Sequence, residues 1–369
     1  MARVKIGGIA SRRPHVPVEL LGKSAEELRA LLVSLGEPAY RGPQIYRALY
    51  TERRFDFDAM TNLPAALRSR LAEETRVTLP RIVRQFPSVD GSIRYLLSIG
   101  GEDAKPTQIE AVFMPKEGRQ TICISTQAGC AVDCHFCLTA QLGLIRNLTA
   151  GEIVGQVLVA LEENRDHLAP QTNVVLMGQG EPLLNYDATM AAVRILLDPR
   201  GVALAPRHVT LSTSGIVPGI ERLGQEKIRP GLAISLNASN DEQRNALMPI
   251  NRKYPLAVLL DACRRYPLRP REYFTMEYVL LGGVNDAPED ARRVVRLLSH
   301  FRAKVNLIPW NPGNLPYRAP TPESIEAFKS ILLEKGVPAF VRYSRGQDVF
   351  AACGQLALIE TVSPFVALQ

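Results

Sequence analysis

The chain has 369 residues and a net charge of +7, with 46% hydrophobic residues, 22% charged residues and six cysteines. This length allows two or three domains, or one large α/β barrel with an appendage, and the composition excludes a disordered, collagen-like or coiled-coil chain. The absence of a run of about 18 apolar residues and of a secretory signal, with too few cysteines for a disulfide scaffold, predicts a cytoplasmic protein without a membrane partner, whose thiols are free, metal-bound or catalytic.

The first part of the chain carries most of the excess charge. Residues 1–85 hold 15 basic and 9 acidic residues, a net charge of +6, which leaves +1 for the rest. Ser24 and Glu27 form a capping box before a helical pattern that stops at Gly36, and residues 39–75 continue with helical spacing. We predict a small basic helical domain over 1–85 that binds a polyanion such as a nucleic acid, the alternative being a solvated basic face without a partner.

A change of pattern follows over residues 86–118. The segments SIRYLLSIG and QIEAVFMP are typical of short strands, and the polar turn GEDAKP separates them. We predict a β-hairpin extension that leads into the main domain, residues 119–369.

The main domain alternates strand-like and helical segments. The strand-like runs are 121–126, 173–178, 208–214, 232–238, 275–283, 304–310 and 339–344. Helical patterns begin at Thr149 and Thr321 and cover about 186–197, 255–266 and 287–301. This alternation indicates a parallel sheet with right-handed crossovers, as a complete barrel, a partial barrel or an open sheet. It places the chemistry in the loops at the carboxyl ends of the strands.

A cysteine motif follows the first of these strands. Cys130, Cys134 and Cys137 form a CxxxCxxC pattern, and three thiolates within eight residues can converge on one soft metal centre. Tetrahedral zinc needs a fourth ligand, and no second CxxC or HxxxH pair is present. Three thiolates on a [4Fe–4S] cluster leave one iron open for a substrate or cofactor. We interpret the loop as an iron–sulfur site, with zinc or ordinary buried thiols as the alternatives.

This loop resembles that of the radical S-adenosylmethionine (radical SAM) superfamily. The segment Gly178–Pro182, GQGEP, is similar to the superfamily's segment for the SAM amino group. Its glycines allow close backbone approach, and Glu181 offers an acceptor to an ammonium group. The resemblance implies one [4Fe–4S] cluster whose open iron binds SAM, and an electron from the cluster that cleaves SAM to a 5′-deoxyadenosyl radical.

Longer segments resemble the RlmN/Cfr family of radical SAM RNA methyltransferases over about residues 20–360. They include GCAVDCHFCLTAQLGLIRNLTAGEIVGQV (129–157), MGQGEPLLN (177–185), MPINRKYP (248–255) and YRGPQIYRALY near the N-terminus. The resemblance implies an α/β fold, a partial (β/α) radical SAM barrel with a helical accessory domain. RlmN-type members methylate C2 of an adenosine in the peptidyl-transferase region of 23S rRNA and of tRNA adenosine 37, whereas Cfr-type members methylate C8 of the rRNA adenosine.

The resemblance also implies roles for three residues. Cys353 takes a methyl group from a first SAM, and a second SAM supplies the radical that activates this methyl group for addition to adenine. Cys123 then attacks Cys353, which releases the methylated RNA and leaves a transient disulfide. Glu110 matches the family's general base for the ring proton. Without the resemblance, the two thiols read as core residues and the carboxylate as a surface group on a strand.

The same matching assigns SAM contacts at strand ends. The expected residues are Gly180, Glu181, Ser212, Ser235, Leu236, Asn237 and Asn311. The sequence departs from the family pattern in two places. Position 237 is Asn where many members carry His, and only 16 residues follow Cys353 where many relatives have a longer basic tail.

Partners follow from the same reasoning. Arginine makes up 35 of the 44 basic residues, which favours phosphate contacts and stacking on unstacked bases. The candidate RNA contacts are Arg12, Arg13, Arg41, Arg47, Arg53 and Arg54. We also expect an external electron donor such as flavodoxin, and a monomer. The alternative functions are a C8-specific methyltransferase, a radical SAM enzyme with another substrate, and a non-catalytic iron–sulfur protein that binds RNA or transfers electrons.

Overall fold

The computed structural model describes residues 17–100 and 106–359. The strands are β1 (Val18–Glu19), β2 (Thr75–Arg76), β3 (Arg81–Pro87), β4 (Ile93–Ile99), β5 (Thr107–Lys116), β6 (Arg119–Cys123), β7 (Gln127–Gly129), β8 (Leu144–Asn147), β9 (Gln171–Leu176), β10 (Val209–Thr213), β11 (Gly231–Ser235), β12 (Phe274–Leu280), β13 (Ala303–Pro309) and β14 (Ala339–Val341). The α-helices are α1 (Ala25–Ser34), α2 (Arg41–Tyr50), α3 (Ala65–Glu74), α4 (Ala150–Glu163), α5 (Tyr186–Leu197), α6 (Val217–Gly224), α7 (Asp241–Leu247), α8 (Leu256–Arg265), α9 (Pro288–Leu298) and α10 (Pro322–Glu334).

The N-terminal part consists of α1, α2, α3 and the two-residue strands β1 and β2, which pair in parallel. The predicted capping box is confirmed, since the Ser24 hydroxyl accepts from the Glu27 N–H and the Glu27 carboxylate accepts from the Ser24 N–H. The helix stops before Gly36, whose φ of +76° suits a residue without a side chain. Leu28 and Leu32 are fully buried and form the inner face of α1.

The main sheet has ten strands in the order β14-β13-β12-β11-β10-β9-β6-β5-β4-β3. The strands from β6 to β14 in this order are parallel to their neighbours, whereas β3, β4 and β5 are antiparallel. The sheet is curled, and its two ends come close to each other. The Gly346 N–H, beyond β14, donates to Asp90 in the β3–β4 turn at 2.9 Å. Within the described ranges β14 and β3 do not pair, so the architecture is a partial barrel.

Two boundaries differ from the expectation. β3 begins at Arg81 and pairs with β4, so the sheet starts before residue 85 and the extension has three strands rather than two. Each predicted strand of the barrel runs one to three residues past the observed one, because the chain beyond the strand leaves the ladder without a change in residue type that marks its end. Ser125, for example, lies beyond β6, and its N–H donates to the Gln156 side chain at 2.8 Å.

Five helices of the barrel, α4, α5, α8, α9 and α10, match predicted segments. The helices α6 and α7 were not predicted because their 8 and 7 residues are too few to show a helical period. In the described residues, no helix is both long enough and apolar enough to cross a membrane.

Candidate active site

The cysteine motif lies in a loop that β7 and β8 enclose. Gly129, at the end of β7, has a φ of +73°. A Cβ atom at this position would lie 1.8 Å from the Gly143 carbonyl oxygen, the same atom that accepts from the Cys130 N–H at 2.9 Å. Glycine at position 129 is therefore required by a close backbone contact at the entrance of the loop.

The three motif cysteines line one cavity at the carboxyl ends of the parallel strands. Burial raises the pKa of the Cys130 thiol to about 12 and that of Cys134 well above its usual value. Thiolates in such surroundings need a compensating positive charge, which the irons of a cluster supply when they bind.

In the described part of the chain, no three His, Cys, Asp or Glu side chains converge closely enough to hold one metal ion. A four-iron cluster does not require this, because each thiolate binds a separate iron. His135 is not among the residues that line the cavity, and its side chain is paired with Asp133. The donor set of three thiols therefore fits a [4Fe–4S] cluster with one open iron.

The GQGEP segment forms the adjacent wall of the cavity. Gly180 has a φ of +97°, and a Cβ atom there would lie 2.5 Å from the Gln127 side chain. The carboxylate of Glu181 is buried and accepts from the Ser214 N–H at 2.7 Å, from the Ser214 hydroxyl at 2.8 Å and from the Leu183 N–H at 3.0 Å. The Thr213 side chain is a further hydrogen-bonding neighbour of this carboxylate, which lines the cavity and therefore presents a negative charge to a ligand ammonium group.

Burial is the largest influence on Glu181 and raises the pKa of its carboxyl group, although these hydrogen bonds oppose the rise. A cation in the cavity would therefore be bound by a carboxylate with little water around it, where charge pairing is strong.

Four further predicted SAM residues line the same cavity, namely Ser212, Ser235, Asn237 and Asn311. Leu236 does not line it, because its side chain is fully buried in the core.

Asn237 takes a left-handed backbone conformation, φ +54°, which asparagine tolerates. Its side-chain oxygen accepts from the Val279 N–H at 2.9 Å and its amide nitrogen faces the Met248 sulfur at 3.4 Å. Both ends of this carboxamide therefore have protein partners, so the residue shapes the wall more than it offers free polar groups.

Two of the three cysteines outside the motif, Cys123 and Cys353, come together although 230 positions separate them. Cys353 lines the cavity, and the Asn311 amide donates to its carbonyl oxygen at 3.0 Å. Its side chain is reached by solvent from the cavity. The surrounding protein nevertheless raises the pKa of the thiol to about 11, with Glu277 and Cys137 adding to the rise.

Cys123 ends β6 and is 8% exposed, so burial raises the pKa of its thiol, and the nearby Cys353 sulfur adds to this. In the β5–β6 register it lies opposite Val112, on the face that the segment around Cys353 covers.

Glu110 lies outside the cavity lining. It is fully buried on β5, where it forms an ion pair with Arg94 and accepts from the Leu358 N–H at 3.0 Å. Burial raises the pKa of this carboxyl group, and the charge of Arg94 partly offsets the rise. The structure therefore does not bring Glu110 to the cavity of the motif cysteines, and the chain around Leu358 covers it.

Sequence reasoning missed two residues of the site. Glu277 lines the cavity from the middle of β12, and its presence in an otherwise apolar strand was the available signal. Arg244 on α7 is fully buried and donates to the backbone carbonyls of Ser214, Ser235 and Leu236, at the ends of β10 and β11. No local pattern marks this residue, because its partners include backbone carbonyls at strand ends that only the folded chain brings next to α7.

The candidate RNA contacts divide into three groups. Arg12 and Arg13 lie outside the described residues. Arg53 pairs with Glu162 of α4 at 3.1 Å and so faces the barrel. The remaining three, Arg41, Arg47 and Arg54, lie on α2 or just after it and have surface partners.

Two family models match the chain. The model of the radical SAM superfamily matches residues 124–298, and the model of the ribosomal RNA large subunit methyltransferase N-terminal domain matches residues 18–77. Both matches fall on the parts that the fold separates, the barrel and the helical N-terminal part.

Curated relatives match over most of the chain. The probable dual-specificity RNA methyltransferase RlmN of Koribacter versatilis is 50% identical over 347 residues, which cover 89% of this chain and 99% of that protein. The dual-specificity RNA methyltransferase RlmN of Anaeromyxobacter dehalogenans is 49% identical over 340 residues and covers 90% of each chain. The crystal structure of a radical SAM methyltransferase from Sphaerobacter thermophilus matches with a TM-score of 0.86 and 45% identity, over 92% of this chain and 99% of that one.

These matches include both domains, and the superfamily to which they lead uses a [4Fe–4S] cluster and SAM, which the three thiols of the cavity fit. The chain belongs to the RlmN family of radical SAM RNA methyltransferases.

Proposed function

We propose that this enzyme methylates C2 of adenosine, in the peptidyl-transferase region of 23S rRNA and at position 37 of tRNA, through a methylated Cys353 and a transient disulfide with Cys123. The main support is the position of Cys353, at the rim of the cavity of the motif cysteines and next to the buried Cys123. The relatives in Koribacter versatilis and Anaeromyxobacter dehalogenans are named dual-specificity RNA methyltransferases.

In this proposal the motif cysteines hold one [4Fe–4S] cluster, which when bound supplies the electron for reductive cleavage of SAM. The Glu181 carboxylate receives the SAM ammonium group. Ser212 and Ser235 offer hydroxyl groups to the rest of the molecule, and two SAM molecules are used in each turnover. Asn311 forms the wall beside them, because its amide group already bonds to Ser344, Cys353 and Gln347. Asn311 also holds the Cys353 backbone, so one side chain couples the cofactor cavity to the methyl carrier.

The need for a cysteine carrier follows from the substrate. C2 of adenine is an electron-poor ring carbon that does not attack a sulfonium methyl group. The Cys353 sulfur does attack it: the new S–CH₃ bond forms as the methyl–sulfonium bond of SAM breaks, and the thiol proton is lost to the cavity. Once the carrier carbon is bonded to C2, Cys123 attacks the Cys353 sulfur: the S–S bond forms as the S–CH₂ bond breaks. The carbon keeps that electron pair, takes the proton that the Cys123 thiol gives up and leaves as the methyl group of the base.

The proposal includes the partners. The basic N-terminal helices bind RNA, and an external one-electron donor such as flavodoxin reduces the cluster. The enzyme acts as a monomer in the cytoplasm, where its RNA substrates are.

Product analysis tests this function. Anaerobically reconstituted enzyme is incubated with SAM, a reductant and RNA that lacks the modification, and the RNA nucleosides are analysed by mass spectrometry. We expect 2-methyladenosine from the unaltered enzyme and none from Cys353→Ala. Cys263→Ala is the matched control, because Cys263 is buried in α8 away from the cavity. 8-Methyladenosine, or full turnover by Cys353→Ala, would overturn the proposal.

A further inference from the structure

A second group of buried polar side chains lies on the inner face of the sheet, outside the cavity of the motif cysteines. We refer to Arg94, Glu110 and Gln179 as the buried polar cluster. Arg94 and Glu110 are fully buried and Gln179 is 1% exposed. The Arg94 guanidinium also lies over the Phe86 ring at 3.9 Å, which fixes its plane.

Two polar atoms of this cluster have no hydrogen-bond partner within the described residues, the Gln179 Oε1 and the Arg94 Nε. The orientation of the Gln179 carboxamide follows from its neighbours. Its nitrogen faces the Glu110 carboxylate at 3.4 Å and the Leu356 carbonyl at 3.5 Å, which are both acceptors, so its oxygen must point elsewhere. A buried polar atom without a partner destabilises the folded chain, so its presence calls for a functional explanation.

A short piece of chain covers the cluster. We refer to residues 356–359 as the cover. The Leu358 N–H donates to Glu110 at 3.0 Å, and the Ile359 carbonyl accepts from Arg94 at 2.7 Å. These contacts use only main-chain groups of the cover. Leu358 has a φ of +59°, a left-handed conformation that is unfavourable for a leucine. The cover therefore satisfies part of the cluster at the expense of a strained backbone.

The buried polar cluster lies beside Cys123 and Cys353. Glu110 and Val112 are on the same face of β5, and Val112 lies opposite Cys123 in the register. Leu356 packs in the same apolar group as Val112 and Cys123. A flat ligand in the place of the cover would therefore contact the polar cluster on one side and approach the Cys123–Cys353 pair on the other.

We propose that the cover occupies the place of the target nucleobase in the RNA-free protein, and that Gln179 recognises the exocyclic amino group of adenine once the cover has moved away. This inference rests on the proposed function. Adenine presents one amino donor next to ring-nitrogen acceptors. The unpartnered Gln179 oxygen suits the amino group, and the Arg94 guanidinium suits a ring nitrogen. Guanine would place a carbonyl oxygen against the Gln179 oxygen, so two acceptors would face each other.

A substrate-analogue experiment tests the role of Gln179. Two RNA stem-loops, one with adenosine and one with purine riboside at the target position, compete for the reconstituted enzyme. Purine riboside lacks only the amino group. We expect the unaltered enzyme to prefer adenosine about tenfold, the effect of one hydrogen bond, and Gln179→Met to lose this preference. The ratio within one reaction does not depend on how much of the variant is folded.

Gln120→Met is the matched control, because Gln120 is also a buried carboxamide but bonds to Ala169 and Thr172 at the opposite end of β6. It should keep the preference for adenosine. If Gln179→Met retains the full preference, the inference is wrong although the proposed function stands. If the unaltered enzyme methylates neither RNA, the proposed function itself fails.

Movement of the cover is measured without activity. Amide hydrogen exchange at Leu358 is followed in the protein without its [4Fe–4S] cluster. It is measured for the protein alone and with each of two stem-loops, one with the target adenosine and one abasic at that position. We expect slow exchange in the free protein, at least tenfold faster exchange with the adenosine RNA, and little change with the abasic RNA. Unchanged exchange with the adenosine RNA would show that the cover stays in place and would refute the exchange of cover for nucleobase.

Discussion

Gly129 and Gly118 have nearly the same left-handed backbone, φ +73° and +71°, but different surroundings. A side chain at Gly118 would meet nothing within 4 Å, whereas one at Gly129 would meet the Gly143 carbonyl. Alanine variants at the two positions therefore separate the destabilisation due to the left-handed backbone from the destabilisation due to the steric clash.

We predict that Gly129→Ala prevents formation of the cysteine loop, while Gly118→Ala does not. Both variants carry a backbone strain of roughly 1–2 kcal/mol. Only the first displaces the oxygen that holds the Cys130 N–H. Iron per protein after anaerobic reconstitution should fall below about half in Gly129→Ala and stay near the unaltered value in Gly118→Ala. Equal iron contents would contradict this account.

Glu277 predicts a pH dependence of stability. It is 7% exposed, and burial raises the pKa of its carboxyl group to about 7, although Asn306 and Arg342 act in the opposite direction. Because the pKa is higher in the folded than in the unfolded chain, the associated stability is complete below about pH 4.5 and is lost as the pH rises through 7.

The comparison uses protein without its [4Fe–4S] cluster. Between pH 4.5 and 8, the unfolding free energy of Glu277→Gln should therefore rise relative to that of the unaltered chain. The expected shift is up to about 3 kcal/mol. Urea unfolding at several pH values measures this difference, and a constant difference over that range would count against a raised pKa.

At the scale of elements, α7 shows how one short helix fixes the ends of two strands. Arg244 donates to the carbonyl oxygens of Ser214 at 2.6 Å, of Ser235 at 3.1 Å and of Leu236 at 3.1 Å, and to Asn251 at 2.9 Å. Burial lowers the pKa of this guanidinium to about 10, so its positive charge persists at neutral pH. The loops after β10 and β11, which line the cavity, are therefore held from behind by one side chain.

We predict that Arg244→Met lowers the unfolding free energy by about 3 kcal/mol, because buried carbonyl groups lose their donors. Arg244→Lys should recover only part of this, since an ammonium group cannot reach all four acceptors. Arg265→Met, at an exposed position of α8 with surface partners, should change it by less than about 0.5 kcal/mol. Chemical denaturation of the three variants measures these values. Similar losses for Arg244→Met and Arg265→Met would show that Arg244 does not hold the ends of β10 and β11.

At the scale of the whole molecule, the N-terminal helices are attached firmly to the barrel. The Thr51 hydroxyl contacts the carbonyl oxygens of Arg200 and Gly201, both at 2.9 Å, and Arg53 pairs with Glu162. The arginines of α2 and the turn after it therefore fall into two groups. Arg53 attaches the helices to the barrel, whereas others, such as Arg47, are exposed to solvent.

We predict that substitutions of two of these arginines affect different properties of the enzyme, RNA binding for Arg47 and thermal stability for Arg53. The side chain of Arg47 is 70% exposed, so Arg47→Ala should weaken RNA binding and reduce the slope of log Kd against log salt concentration by about one. Arg53→Ala should lower the thermal stability and leave that slope unchanged. Titrations at several salt concentrations measure the slope, and an unchanged slope for Arg47→Ala would remove this residue from the RNA interface.

The sequence alone determined the cysteine loop, the GQGEP segment, the capped helices and the strand–helix alternation, because each depends on spacing within a few residues. Tertiary structure decided how distant residues meet. The curl of the sheet and its register bring Cys353 beside Cys123 and cover Glu110 with residues 356–359, and neither can be read from local spacing. Gln179 illustrates the limit: its position was visible in the motif, but only the fold places its nitrogen against Glu110, 69 residues earlier, and leaves its oxygen without a partner among the described residues.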